Sequence, residues 1–182
     1  MMSAVMEQRQ AAMDRASGGD AQSFSLLIEP LLDPAYRLAA VMLSDRSAAE
    51  DAVQEASIKA WRKLAQLRGD AGSLRAWFLS IVANECRMAR RQRWWSVLRM
   101  ADADVDRSAD SIDRFSGQSS DLKAALLRLS PDDRLPLVLH FYLDLPLDEV
   151  ARILKVSPAA AKSRVYRAAH RLRPELSDEE VI

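Results

Sequence analysis

Residues 145–173, LPLDEVARILKVSPAAAKSRVYRAAHRLR, decide how this chain folds. The stretch has the form helix, short turn, helix. Val150, Ala151 and Leu154 make the apolar side of the first helix, small Ala151 lets the second approach closely, and Val156 sits in the turn. Ser157 before Pro158 supplies an N-cap and an N1 proline for the second helix. At about 100° per residue, Ala161, Val165, Ala168, Ala169 and Leu172 fall on one side of it, and Ser163, Arg164, Arg167, His170 and Arg171 on the other. From Arg152 to Arg173 there are seven Lys/Arg and no Asp or Glu. A basic face opposed to a core face suits the major groove of DNA, where arginine takes guanine O6 and N7 together. A solvated amphipathic helix explains the basic face alone. Acid-free charge within a helix-turn-helix layout favours DNA.

Outward from that stretch the charge is segregated, although all 182 residues together balance 26 basic against 26 acidic side chains. ANECRMARRQRWW, residues 83–95, ends an apolar helix pattern in four arginines and two tryptophans. Between Asp102 and Asp121, six aspartates face two arginines. Basic, acidic, basic is the informative pattern. The excess of arginine over lysine, 21 to 5, needs no functional cause, since a GC-rich genome gives it. Cys86 stands alone, which excludes an internal disulfide, and reads as a small buried hydrophobe. His140 and His170 lack partners at ligand spacing, so neither metal nor cofactor is expected. No Gly-rich phosphate loop, nucleophile elbow, HExxH or CxxC is present, and an enzyme is not expected. The chain has no run of 18 apolar residues and no signal-peptide h-region. A cytoplasmic protein with no membrane insertion of its own is the expectation.

Helical periodicity without β-alternation predicts an all-α fold of two small helical domains joined by a flexible acidic linker. Residues 1–21, with SGGD at 17–20, read as a mobile lead-in. A helical bundle follows over 22–97, the linker over 98–120, the helix-turn-helix domain over 121–176 and a tail over 177–182. Within the bundle, Asp33–Pro34 suits a helix start and SAAE (47–50) a capping box. The next helix places Val53, Ser57, Ala60, Trp61 and Leu64 on one face as its core stripe. RGDAGS (68–73) breaks the chain, and the helix from Leu74 is apolar at Trp77, Phe78, Ile81, Val82 and Cys86. Trp61 and Trp77 are expected in the core. Asp51, Gln54, Glu55 and Ile58 fall opposite the Trp61 face, an acidic strip with the look of a docking surface for a basic partner.

AEDAVQEASIKAWRKL followed by RGDAGSLRAWFLSIVANECRMARR resembles the second conserved region of extracytoplasmic-function sigma factors, and residues 145–173 resemble their fourth. Both occur in the family's order, across most of residues 24–174. The resemblance implies a transcription initiation factor that binds core RNA polymerase (the β′ clamp and the β subunit) and promoter DNA, under an anti-sigma factor. It assigns Asp51, Gln54, Glu55 and Ile58 to core polymerase. For the −10 element it points to Lys63, Leu67, the loop Arg68, Gly69, Asp70 to Ser73, and Asn84, which together would hold an unstacked base. Arg87, Arg90 and Arg91, with Arg93, would follow the DNA backbone. For the −35 element it points to Lys162, Ser163, Arg164, Tyr166 and Arg167, with Arg171 on a phosphate; Lys162 and Tyr166 rest on resemblance more than on periodicity. Trp94 and Trp95 can stack on bases, close the small domain or meet a protein partner, with packing ranked ahead of stacking.

Several positions depart from the family's habit. Ala159, Ala160 and Ala161 replace the usual GTV, Lys155 takes a turn position often held by glycine, and Pro146 stands where a capping serine is common, leaving Asp144 to substitute. Leu67 replaces a frequent aromatic. The competing reading is a helix-turn-helix operator-binding regulator acting without polymerase, which would have no use for the acidic strip.

Overall fold

The computed structural model describes residues 2–67, 73–99 and 120–177. Helix α1 spans Met2–Ser17, so the reading of residues 1–21 as a mobile lead-in is corrected. SGGD is a stop and a start. Gly19, at φ 96°, ends α1 in a conformation that costs glycine little. Asp20 then caps α2 (Ala21–Leu43) through the backbone N–H groups of Gln22 and Ser23, each at 3.2 Å. Met13 and Ala16 pin α1 to the core. Among the described side chains of α1 that stripe is short, so it leaves little periodicity in the sequence.

Helix α2 runs straight through Pro30 and Pro34, so Asp33 is no N-cap; it pairs with Arg37 at 3.5 Å on the surface. Each proline removes one helical hydrogen bond, a cost of about 3 kcal/mol. Buried Leu27, Ile28, Leu31, Leu38 and Met42 offset it at about 1.5–3 kcal/mol each. Leu26, whose carbonyl Pro30 leaves unbonded, is 61% exposed, on the solvent side of the helix. Ser44, at φ 55°, closes α2 and Asp45 opens α3 (Arg46–Lys63) by accepting from Ala48 N at 2.9 Å. The capping box expected at Ser47 is therefore displaced by two residues, and Glu50 pairs with Arg46 instead.

The core face of α3 is an alanine ridge, Ala49, Ala52, Ala56 and Ala60, continued by Leu64. Small side chains bring α2 and α4 (Leu74–Arg99) close on both sides. Trp61 does not fit there. It is 36% exposed, edge-on to Phe24 at 5.1 Å, and the expectation of a core Trp61 is corrected; Trp77 is half-buried. Phe78, Leu79, Val82 and Cys86 fill the centre of the bundle. Burial, then the neighbouring Glu85 carboxylate, pushes the Cys86 thiol up to about 12. With the folded value above the reference 9.0, this neutral thiol contributes its stability fully below pH 9 and loses it as pH climbs toward 12. Native protein is expected to leave Cys86 unreactive toward an aromatic disulfide reagent at mildly alkaline pH, with one equivalent released on unfolding in guanidinium chloride. Fast labelling of the folded chain would contradict this burial.

The second unit comprises α5 (Ser120–Arg128), α6 (Pro131–Leu137) with a π-helical turn (Val138–Tyr142), α7 (Leu147–Leu154) and α8 (Pro158–Ser177). Val150, Ala151, Ile153, Ala161 and Val165 form its centre, and Leu126, Leu129, Leu137 and Ala168 a satellite cluster. Lys155 holds φ 55° in the turn between α7 and α8, the strained position where glycine would be easier. Pro146 precedes α7 with no side-chain cap. The linker between the units, and the loop at 68–72, lie outside the described residues.

The two units share one continuous apolar core, with α7 lying against α4. Three arginines cross the seam. The Arg37 guanidinium sits 4.8 Å from the Tyr142 ring centroid, Arg75 Nη2 donates to the Leu143 carbonyl at 3.1 Å, and Arg134 Nη1 donates to the Val41 carbonyl at 3.2 Å.

Candidate nucleic-acid interface

Helix α8 presents the surface that its periodicity predicts. Ala161, Val165 and Ala168 are buried, while Lys162, Ser163, Arg164, Tyr166, Arg167, His170 and Arg171 are exposed. Ser157 Oγ accepts from Ala160 N at 3.2 Å, so the expected cap is in place. The Lys162 ammonium lies 6.0 Å from the Tyr166 ring centroid, and Tyr166 itself is 59% exposed. An exposed ring beside a cation can pack on sugar or a thymine methyl, and the arginines can reach base edges or phosphates. Arg171 already has a partner: its Nη1 is 2.5 Å from Asp133 Oδ2.

The arginines at the end of α4 do not form one rod. Asn84, Arg87 and Arg91 follow i, i+3, i+7 on a single exposed side, and Arg87 Nη1 donates to Asn84 Oδ1 at 3.1 Å. Arg90 lies on the side of buried Leu79 and Ala83, and its charge reaches buried Arg134 in the second unit. Arg93 lies 3.7 Å from Asp45 at the start of α3. Lys63 is exposed at the end of α3, and Leu67 is half-buried against the core. Arg68, Gly69 and Asp70 fall outside the described residues, as do the side chains of Trp94 and Trp95.

On α3, Asp51, Gln54, Glu55 and Ile58 are all exposed, Ile58 at 37%. Asp51 and Glu55 line one wall of an open groove between α3 and α4 of about 760 Å³, with Met88 and Gln92 opposite. Lys59 and Glu85 meet at its floor at 2.5 Å, the glutamate only 8% exposed. The groove joins the Asp51 and Glu55 carboxylates to apolar Ala48, Ala52, Met88 and Ala89, with Arg93 also in its lining; carboxylates beside apolar surface suit a basic amphipathic helix. Among the described residues no group of three or more His, Cys, Asp or Glu could hold a metal ion, and no helix is long and apolar enough to cross a membrane.

Residues 27–96 match Sigma-70 region 2, and residues 119–172 match Sigma-70, region 4. The first match takes in α2 to α4 and the second α5 to α8, well over half of the chain. The chain belongs to the sigma-70 family. Among curated relatives, the ECF RNA polymerase sigma factor BldN of Streptomyces coelicolor is 27% identical over 172 residues, covering 92% of this chain and 65% of BldN. The chain thus spans just under two thirds of that relative. The RNA polymerase sigma-H factor of Pseudomonas aeruginosa is 28% identical over 184 residues, 90% of this chain and 91% of that factor. Among solved structures, the sigma factor RpoE in complex with the anti-sigma factor NepR from Bartonella quintana aligns with TM-score 0.72 at 26% identity, over 87% of this chain and 99% of that one. CnrH, solved with the cytosolic domain of CnrY, shares the fold at TM-score 0.69 over 93% and 97% of the two chains, at 21% identity.

In this sigma factor the acidic strip and the Asn84 face belong to region 2, and the basic face of α8 to region 4. Sequence reasoning missed the residues that join the regions. Arg37, Arg75 and Arg134 reach backbone carbonyls or a ring, and such acceptors leave no charge pattern to read. It also missed Asp133 as the partner of Arg171, because 38 residues separate them.

Proposed function

We propose that this sigma factor binds core RNA polymerase through Asp51, Gln54, Glu55 and Ile58, and directs it to promoters in the cytoplasm. Lys63, Leu67, the loop at Arg68, Gly69 and Asp70, and Asn84 with Arg87 and Arg91 engage the −10 element. Lys162, Ser163, Arg164, Tyr166, Arg167 and Arg171 engage the −35 element. The observation that carries this reading is the pairing, in one chain, of both sigma regions with their acidic and basic faces exposed. Arg90, exposed on α4 although its charge reaches Arg134, is a further candidate for the DNA backbone.

Parting of the two regions is required on geometric grounds. Elements named −10 and −35 are 25 base pairs apart by name, roughly 85 Å of duplex at about 3.4 Å per pair. Helices in contact, as α4 and α7 are, have axes only about 8–10 Å apart. The closed arrangement cannot read both elements at once, so polymerase must hold the regions apart. An anti-sigma partner, of the kind seen with RpoE, would act by favouring the closed form or covering the exposed faces.

The decisive substitutions are Asp51→Ala with Glu55→Ala. They are expected to weaken association with core polymerase about tenfold or more, as loss of central charged contacts does. Binding of the −35 duplex should be unchanged. Retention of full core affinity by the double variant, measured by fluorescence anisotropy, would remove the α3 strip from the interface.

A further inference from the structure

We propose that Asp133 is a positioning residue for promoter recognition: it holds the Arg171 guanidinium at one edge, so that its remaining donors face DNA in a fixed direction. This rests on the placing of Arg171 at the −35 interface. Asp133 lies on α6, not on the recognition helix, and its carboxylate is itself held. Ser130 Oγ donates to Asp133 Oδ2 at 2.8 Å and accepts from the Asp133 backbone N–H at 3.2 Å. That same Oδ2 takes Arg171 Nη1. The Asp133 side chain is 21% exposed and that of Arg171 56%, so the acid is sheltered while the base reaches solvent.

A guanidinium has five N–H donors in a rigid fork, and one bond to a carboxylate through Nη1 leaves Nε and Nη2 available for a phosphate. A chain from carboxylate through arginine to phosphate fixes the helix in the groove while cancelling part of the charge that attracts any duplex. Arg167, one turn earlier on α8, feels the same carboxylate. Burial works against ionisation of Asp133. The Ser130 hydroxyl and the Arg171 guanidinium outweigh it and hold the carboxyl below its ordinary range, so it is charged wherever the protein works. The other acid close by, Asp132 at the start of α6, accepts from neither group in the structure's hydrogen bonds.

The test is Asp133→Asn in the full chain reconstituted with core polymerase. Asparagine keeps an acceptor for Ser130 and removes the charge, and Asp133→Ala serves as the second variant. The probes are a promoter duplex selected by the wild-type holoenzyme from a pool randomised at the −35 element, and the same duplex with that element scrambled. The variant is expected to lower the ratio of selected to scrambled affinity about fivefold, mainly by binding the scrambled duplex more tightly. In an Arg171→Ala background, where the salt slope falls by about one, Asp133→Asn should lower the ratio no further. A purely structural role would lower the melting temperature and leave the ratio alone. A ratio within twofold of wild type, with Arg167→Ala still losing the selected duplex, overturns the role of Asp133 and spares the −35 assignment. Failure of the wild-type holoenzyme to select any duplex overturns both.

Discussion

Arg134→Ala is expected to lower stability by about 3 kcal/mol, the scale of a charged group's lost hydrogen bonds at a buried site. Arg134 is 7% exposed and donates to four backbone carbonyls: Leu126 (2.8 Å), Leu127 (2.7 Å) and Leu129 (3.1 Å) at the end of α5, and Val41 (3.2 Å) across the seam. The carbonyls lie near the C-terminal ends of α5 and α2, where unpaired acceptors and the helix dipoles favour a cation. Burial, then the nearby charge of Arg90, pushes the Arg134 pKa down to about 10, which still leaves it protonated at neutral pH. No carboxylate supports it in those bonds, so the carbonyls carry the whole compensation. Truncation leaves all four without their donor. A fall in melting temperature of roughly 6–12 °C should follow for a chain of this size. Arg134→Lys should recover less than half, because an ammonium cannot span four acceptors set by a planar fork. A melting curve unmoved by Arg134→Ala would mean that this guanidinium does not hold these carbonyls in solution.

Arg164→Ala and Arg167→Ala are the substitutions expected to cost most at the promoter. Both side chains are exposed on the basic side of α8 while Val165 and Ala168 beside them are buried, so neither change should disturb the fold. Loss of a bidentate contact to a base costs about 1–3 kcal/mol, roughly five- to 150-fold in affinity. Loss of a phosphate contact instead weakens all sequences together and lowers the salt slope by about one. Titrations of the reconstituted holoenzyme at several salt concentrations separate the two. Base reading shows as relaxed discrimination at one position of the −35 element. Unchanged affinity and discrimination in both variants would remove this face of α8 from DNA.

The parts of this molecule written in local periodicity were legible, and the parts written across the chain were not. The helix-turn-helix could be read because Ala161, Val165 and Ala168 recur at helical spacing and Ser157–Pro158 marks the start. The acidic strip was legible for the same reason, as residues opposite a core face, although that core face itself was placed too far round. Alanines at 49, 52, 56 and 60 carry little hydrophobic signal, so Trp61 drew the stripe toward itself. Helix α1 was missed because few of its described side chains, Met13 and Ala16 with Ala12 beside them, meet the core, and Asp45 was missed as a cap because Ser47 and Glu50 match the capping-box motif and Asp45 does not. The seam between the regions had no local signature at all. Arg37, Arg75 and Arg134 look like any surface arginine until the fold brings a ring or a carbonyl to them.

Run-off transcription by core RNA polymerase supplied with this chain, on the region upstream of its own coding sequence, decides whether the chain acts as a sigma factor. A discrete transcript is expected with the wild-type chain, lost together with core binding in the Asp51→Ala, Glu55→Ala double variant. A chain that binds duplex DNA but neither associates with core polymerase nor yields a transcript would contradict that role, and would leave an operator-binding regulator in its place.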